Sequence, residues 1–265
     1  MRPVLPFLAL TLPSLASTSD SSAQAPIVNS EEYVCKHPPY QVQIVSSSPL
    51  VIYIRDFLTE RERAHLKSIS KNTFRTSAVG SGSKAARRTS QSTYLPSTDP
   101  IVSCIEQRAT LFQGYDVHPS QLEPLQLVHY SPGEHYHLHT DWFSDEAYKM
   151  AVNGGNRLSS FFAYVSLSND TTGGGTNFPL VNAPRDPRWC DVIDCDEQWE
   201  RGVTFRPMEG NAVYWENLEG DGTGNHRTVH AGLPVTTGDK IGMNIWTRQL
   251  PLSDEVRGRF EYPDL

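Results

Sequence analysis

Between Leu125 and Arg248, short apolar runs alternate with turn residues. The runs are LQLVHYS, HYHLHTDWF, LSSFFAYVSLS, TNFPL, GVTFRP, NAVYWEN, RTVHAGLPV and KIGMNIWTR. Each has the length of a strand, and seven or eight such strands in succession predict a sandwich or jelly roll. Upstream the period changes. PLVIYIRDFL, Pro49 to Leu58, reads as a strand. LTERERAHLKSIS follows as a helix, with Thr59 and Glu62 spaced as a capping box. Phe57, Leu66 and Ile69 are its candidates for the interior. Asp99 to Gln113 has helical spacing. Lys71 to Leu95, rich in Ser, Gly and Arg, has no period and is expected to be a mobile loop ending in a strand, able to act as a lid. Helices come first and strands after. The expected fold class is therefore mainly β with flanking helices on one face of the β-core. No internal repeat interrupts this reading.

Composition bounds the function. A chain of 265 residues suits one large domain or two small ones. A net charge of −7 gives no attraction for nucleic acid or an anionic membrane surface. At the N-terminus, Arg2, the apolar run Val4 to Ala16 and the small residues after it predict a signal peptide over 1–20. Pro6 and Pro13 break that run, which is short for a membrane span, so no stable span is expected; an uncleaved signal anchor is the alternative. Residues 21–48 are read as a linker and N-terminal segment, 49–250 as the main folded domain, and 251–265 as a tail. Four cysteines suit an oxidising compartment. Cys190 and Cys195 are close enough to pair, which leaves Cys35 for Cys104. Asn169-Asp170-Thr171 is a glycosylation sequon. EYPDL at the C-terminus carries no usual ER-retrieval signal, so secretion and retention by a partner both remain open.

The stretch SPGEHYHLHTDWF, Ser131 to Phe143, concentrates metal-capable side chains. On a regular strand His135, His137, His139 and Asp141 would share one face, with Tyr136, Leu138 and Thr140 on the other. A non-haem iron(II) site takes two imidazoles and one carboxylate and keeps open positions. Only His139-Thr140-Asp141 offers a His-x-carboxylate pair, so a second imidazole must come from a distant strand; His226 and His230 are the candidates. Lys240 lies where it could reach the same cavity and pair with a dianionic acid. Bland readings exist for each: His139 and Asp141 as a surface pair, Lys240 as a solvated strand end, the aromatics as core. The pair His137/His139 invites a cupin or zinc reading, but the expected downstream carboxylate and glycine spacing is missing. TTGGG lacks the Lys and helix of a phosphate loop and is read as a turn. Lys84, Arg87 and Arg88 read as a solvated loop face.

YSPGEHYHLHTD, Tyr130 to Asp141, matches Y-x-x-G-x-x-Y-x-x-H-x-D. With RLSSFFAYVSLSNDTTGGGTNFP, HAGLPVTTGDKIGMNIWTR, the segment PLVIYIRDFLTERE and an Arg-x-Ser at Arg88 and Ser90, it resembles the catalytic domain of the prolyl 4-hydroxylase family, iron(II)- and 2-oxoglutarate-dependent dioxygenases. The resemblance spans Pro49 to Arg248. It implies a double-stranded β-helix (jelly-roll) core. It implies His139, Asp141 and His230 as iron ligands and Lys240 as the partner of the distal carboxylate of 2-oxoglutarate. Tyr130 and Thr176 would help at that pocket, and Tyr136, Arg157 and Trp246 would line the channel for a peptide. The implied reaction uses O2 and 2-oxoglutarate, with L-ascorbate as an expected reductant, and hydroxylates peptidyl proline at C4 in the secretory pathway, releasing succinate and CO2. Rival readings are the same chemistry on a free amino acid or small metabolite, and a catalytically silent secreted binding module. An oligomer or accessory subunit is left open. Leu233 and Ile241 depart from the usual Cys and Trp, and the segment Val181 to Arg201 has extra bulk that leaves the substrate rim undefined.

Overall fold

The computed structural model describes residues 33–77, 88–114, 116–196 and 201–261. The expected signal peptide lies outside these residues. So does the middle of the expected loop over Lys71 to Leu95, residues 78–87, including Lys84 and Arg87.

Fourteen strands are described: β1 Gln41–Ser47, β2 Leu50–Arg55, β3 Arg75–Thr76, β4 Gln91–Tyr94, β5 Gln126–Tyr130, β6 Tyr136–His139, β7 Arg157–Leu167, β8 Thr172–Gly173, β9 Thr176–Phe178, β10 Val203–Phe205, β11 Ala212–Glu216, β12 His230–Gly232, β13 Val235–Thr237 and β14 Lys240–Arg248. The helices are α1 Glu60–Ser70, α2 Pro100–Gln113, α3 Glu146–Lys149 and α4 Asp254–Glu261. Every apolar run downstream of Leu125 holds a strand. Two elements were not anticipated. β1 falls in the segment read as linker and pairs with β2, and α4 occupies the tail. β1 is an edge strand whose Val42 and Ile44 point to solvent, so its alternation marks no buried face.

The major sheet has the order β1-β2-β11-β7-β14-β5-β4-β3, and the minor sheet β10-β9-β12-β6, with β8 and β13 as a separate pair. Together they make the mainly β, double-stranded β-helix core expected from the sequence. The central strand β7 shows how the layers are built. Phe161, Ala163 and Val165 face one side and join Leu66 of α1, Ile101 and Ile105 of α2, and Met243 and Ile245 of β14. Phe162 and Tyr164 face the other and join Phe178, Phe205 and Trp215 between the sheets. A strand buried on both faces reads as a continuous apolar run, as LSSFFAYVSL does.

The helices form where their caps say. The Thr59 hydroxyl accepts the Glu62 N–H at 3.2 Å and the Glu62 carboxylate accepts the Thr59 N–H at 2.8 Å, closing the capping box of α1. Asp99 accepts the N–H groups of Ile101 and Val102 at the start of α2. Glu62 also meets Arg108 of α2 in a buried ion pair, which ties the two helices together. Disulfides join Cys35 to Cys104 and Cys190 to Cys195, the pairing expected. The second lies in the Val181–Arg201 segment, which roots itself between the sheets through buried Val181, Val192 and Ile193. Among the described residues no helix is long and apolar enough to cross a membrane.

Candidate active site

The mouth of the minor sheet gathers the candidate residues. β6 and β12 are neighbours with His139 opposite His230. Asp141 lies just past the end of β6, where the chain turns. One donor atom from each of His139, Asp141 and His230 lies within 4.8 Å of the other two. His226, the other histidine in that region, packs its ring against Trp142 instead, centroids 5.0 Å apart.

The pairing of β6 with β12 is not regular. His139 is opposite His230 and Tyr136 opposite Gly232, so three steps along β6 match two along β12. This is a β-bulge. It corrects the strict alternation expected from the sequence, which put Tyr136 on the face away from His139. Here the Tyr136 ring stacks on the His139 imidazole, centroids 3.6 Å apart. The same bulge breaks the expected common face of the three histidines. His135 and His137 meet each other, centroids 4.5 Å apart, while His139 turns to His230.

The donor set suits a divalent metal ion. His139 Nδ1 bonds the His137 carbonyl at 2.8 Å and His230 Nδ1 bonds the Thr228 carbonyl at 3.0 Å. A carbonyl can only accept, so each Nδ1 carries the proton and each Nε2 keeps a free lone pair. Those two Nε2 atoms face Asp141, at 3.7 Å and 3.9 Å from its oxygens. Asp141 Oδ2 accepts the Ser160 hydroxyl at 2.7 Å and the Trp246 indole N–H at 3.0 Å. Oδ1 is left toward His139. Burial alone would raise Asp141, but His230, His139, Arg157 and the Ser160 hydroxyl hold it below the usual carboxylate range. Burial, with His230 alongside, pushes the His139 imidazole down. Two bare imidazole nitrogens and an ionised carboxylate, each oriented from behind, are what iron(II) requires.

The orientation runs deeper. The Trp215 indole N–H donates to Asn217 Oδ1 at 2.9 Å, Asn217 Nδ2 donates to Ser160 Oγ at 2.9 Å, and Ser160 donates onward to Asp141. The chain of donors leaves the Ser160 proton only one direction. Phe178 stacks on His230 and Trp215 meets its edge. Behind Trp246, Arg157 lies 3.8 Å from the ring centroid and donates to both Glu123 oxygens, at 2.8 and 2.7 Å. Glu123 is fully buried. Arg157 is therefore held as a prop for the indole, with its remaining N–H toward the Asp141 carbonyl at 3.5 Å.

Lys240 lies behind the Tyr130 and Phe162 wall of that cavity, its ammonium 5.5 Å from the Phe162 ring centroid. Residues of β14 alternate, so Lys240, Gly242, Asn244 and Trp246 share the interior face. Gly242 is needed there: a Cβ would lie 2.2 Å from the Phe162 ring. Lys240 is fully buried. Its ammonium donates to the Gly174 carbonyl at 2.5 Å and lies 4.6 Å from the Tyr130 ring centroid. Burial pushes it down to about 7, and no carboxylate among the described residues offsets that. Tyr130 and Thr176 line the cavity with Tyr136, His139, Asp141, His230 and Trp246. The Thr176 hydroxyl shares a hydrogen bond with Tyr164 at 2.9 Å, and burial raises Tyr130.

Sequence reasoning missed Ser160, Asn217 and Glu123. Ser160 was legible as an interior-facing position of β7, being two residues from Phe162. Its meeting with Asp141 depends on long-range strand order.

The chain is also similar to known proteins. The 2OG-Fe(II) oxygenase superfamily model matches residues 125–248. Prolyl 4-hydroxylase 2 of Arabidopsis thaliana is 32% identical over 254 residues, 92% of this chain and 79% of that one. Prolyl 4-hydroxylase 1 of the same plant is 30% identical over 215 residues, 78% and 71% of the two chains. The viral collagen prolyl hydroxylase of Paramecium Bursaria Chlorella virus-1, solved as its 2OG complex, shares the fold with a TM-score of 0.55 at 20% identity, over 82% of this chain and 100% of that one. Identity at this level across most of both chains, on a fold that brings two imidazoles and a carboxylate together, makes the chain a member of the prolyl 4-hydroxylase family, the iron(II)- and 2-oxoglutarate-dependent dioxygenases.

Proposed function

We propose that the chain hydroxylates peptidyl proline at C4, with Fe(II) held by His139 Nε2, Asp141 Oδ1 and His230 Nε2 and 2-oxoglutarate anchored by Lys240. The observation that carries this is the pairing of three oriented donors within 4.8 Å of one another in one cavity with a buried lysine behind the Tyr130 and Phe162 rings that line it, a lysine with no carboxylate beside it among the described residues. Bound there, the iron would let O2 and 2-oxoglutarate serve as cosubstrates, giving succinate and CO2 alongside the hydroxylated product.

The protein's own groups do the positioning. Protonated Lys240 supplies a point charge for the distal carboxylate, in a pocket where Tyr130 and Thr176 fix the approach. Ser160 and Trp246 keep Asp141 turned so that one oxygen faces the metal position. Phe162, Trp215 and Tyr130 exclude water from the cavity. Tyr136, stacked on His139, stands at the entrance where an extended peptide would present its proline. Trp246, propped by Arg157, forms the opposite wall.

The names of the curated relatives support proline as the acceptor, and they fit a peptide better than a free amino acid or small metabolite. Two disulfides and the exposed sequon residue Asn169 suit the secretory pathway, where L-ascorbate would serve as reductant.

A proline-rich peptide library incubated with the protein, Fe(II), 2-oxoglutarate and ascorbate tests the reading by mass spectrometry. A gain of one oxygen on proline, matched by succinate, is expected. Succinate formation with small acids but not with peptides would overturn the peptide substrate. No succinate with any acceptor would overturn the enzyme reading.

A further inference from the structure

His135 and His137 form a second imidazole pair outside the cavity, and the geometry points to a separate binding site there for a borderline divalent cation such as Zn(II) or Cu(II). Three observations carry it. The two Nε2 atoms lie 3.2 Å apart. Two nitrogens bound at 2.0–2.1 Å to one ion, at angles near 90–110°, lie roughly 2.8–3.4 Å apart, so the pair already has the bite of a chelate. His135 Nδ1 bonds the carbonyl two residues before it, Gly133, at 3.1 Å. His139 and His230 make the same i−2 bond to His137 and Thr228. His135 therefore also carries its proton on Nδ1, the tautomer a metal ligand needs, and its bare Nε2 accepts the His137 Nε2–H; an ion at the pair would displace that one shared proton. Finally, the pair is reachable. His137 is exposed, His135 half-buried, and both border an open groove of about 370 Å³ walled in part by Leu138, Pro179 and Leu233.

The segment is also held in place. Thr89 Oγ1 accepts the His135 backbone N–H at 3.0 Å, and the Thr89 N–H donates to the His135 carbonyl at 3.2 Å. The chelate is thus anchored on its backbone before any ion arrives. Imidazole donors select Zn(II), Cu(II) and Ni(II) over Mg(II) and Ca(II), with Cu(II) the tightest. Water completes the coordination.

Titration of the full-length protein with Zn(II), followed calorimetrically, tests the site. The wild type should take up two equivalents, one at the pair and one at His139, Asp141 and His230. The doubly substituted His135→Ala, His137→Ala protein should lose one and keep the other. A protein carrying Asp141→Ala and His230→Ala should keep the equivalent at the pair. Unchanged stoichiometry and affinity in the His135→Ala, His137→Ala protein would overturn the inference. A second readout needs no stoichiometry. Cu(II) added to the Asp141→Ala, His230→Ala protein should give an electron paramagnetic resonance spectrum with nitrogen splitting. That splitting should vanish when His135 and His137 are also replaced; its persistence would place the copper elsewhere and sink the pair as its ligand.

Discussion

Ser160 gives its hydroxyl proton to Asp141 Oδ2 at 2.7 Å, on the same oxygen that takes the indole N–H of Trp246. The carboxylate is gripped from one side only, and the grip decides which oxygen is offered to a metal. Ser160→Ala removes one of the two donors and leaves Asn217 Nδ2 without its acceptor. Loss of an orienting partner of a metal ligand costs roughly 10- to 100-fold in affinity. Anaerobic Fe(II) or Co(II) titration should show that weakening. An unchanged dissociation constant would mean that Trp246 alone suffices.

Lys240→Met keeps the length and removes the charge. A charge-assisted bond is worth about 1.5–3 kcal/mol, so 2-oxoglutarate should bind roughly 10- to 150-fold more weakly. Iron uptake should be unaffected. The same substitution should make the ligand-free protein more stable at pH 6, because it removes a buried charge that has no carboxylate partner among the described residues. Denaturation curves of the ligand-free proteins, beside KM for 2-oxoglutarate, check both halves.

The lysine also sets a pH dependence. Its ordinary value of 10.5 falls to about 7 through burial. Between those limits the unfolded chain holds a proton that the folded, ligand-free protein does not. Stability from this group therefore rises as pH climbs from about 7 toward 10.5, and its penalty is in full force below 7. A dianion restores the charged form, so binding of 2-oxoglutarate above pH 7 should take up a proton. Calorimetry at pH 8 in phosphate and in Tris should differ in apparent enthalpy by about the difference between the two buffers' ionisation enthalpies. Identical enthalpies would show that the lysine is already charged.

Glu123→Gln leaves Arg157 and Arg248 facing a neutral amide inside the protein. Removing one partner of a buried ion pair costs about 3–5 kcal/mol. Urea denaturation should show a loss of that order. Because Arg157 props Trp246, indole fluorescence should shift in the native baseline as well.

The two disulfides should contribute unequally. Cys35–Cys104 closes a separation of 69 residues and Cys190–Cys195 one of 5. Chain entropy assigns about 4 kcal/mol to the first and about 2 kcal/mol to the second. Paired Cys→Ser replacements, compared by chemical denaturation, should reproduce that order.

Much of this molecule was legible in its residues, and the limits have physical causes. The eight apolar runs became strands because alternation and turn chemistry are local properties. The capping box at Thr59 and Glu62 closed for the same reason. Motif spacing brought His139, Asp141, His230 and Lys240 to attention, and the fold places the first three around one cavity with Lys240 behind its Tyr130 and Phe162 wall. Ser160, Asn217 and Glu123 stayed hidden because their roles depend on which strands lie side by side, an arrangement set by contacts distant in the chain. Tyr136 was assigned to the wrong face because one extra residue in β6 breaks the period of two. β1 escaped notice because an edge strand leaves its apolar side chains in solvent.

That extra residue makes the spacing of β6 more demanding than its chemistry. Between Tyr136 and His139, side chains can be exchanged at little structural expense, since His137 and Leu138 point outward. A deletion is another matter. Shortening the segment by one would restore a flat ribbon, swing the phenol to the far side and strip the imidazole of its aromatic cover, without altering any residue that touches the metal position. The count of residues here carries information that no substitution scan would reveal.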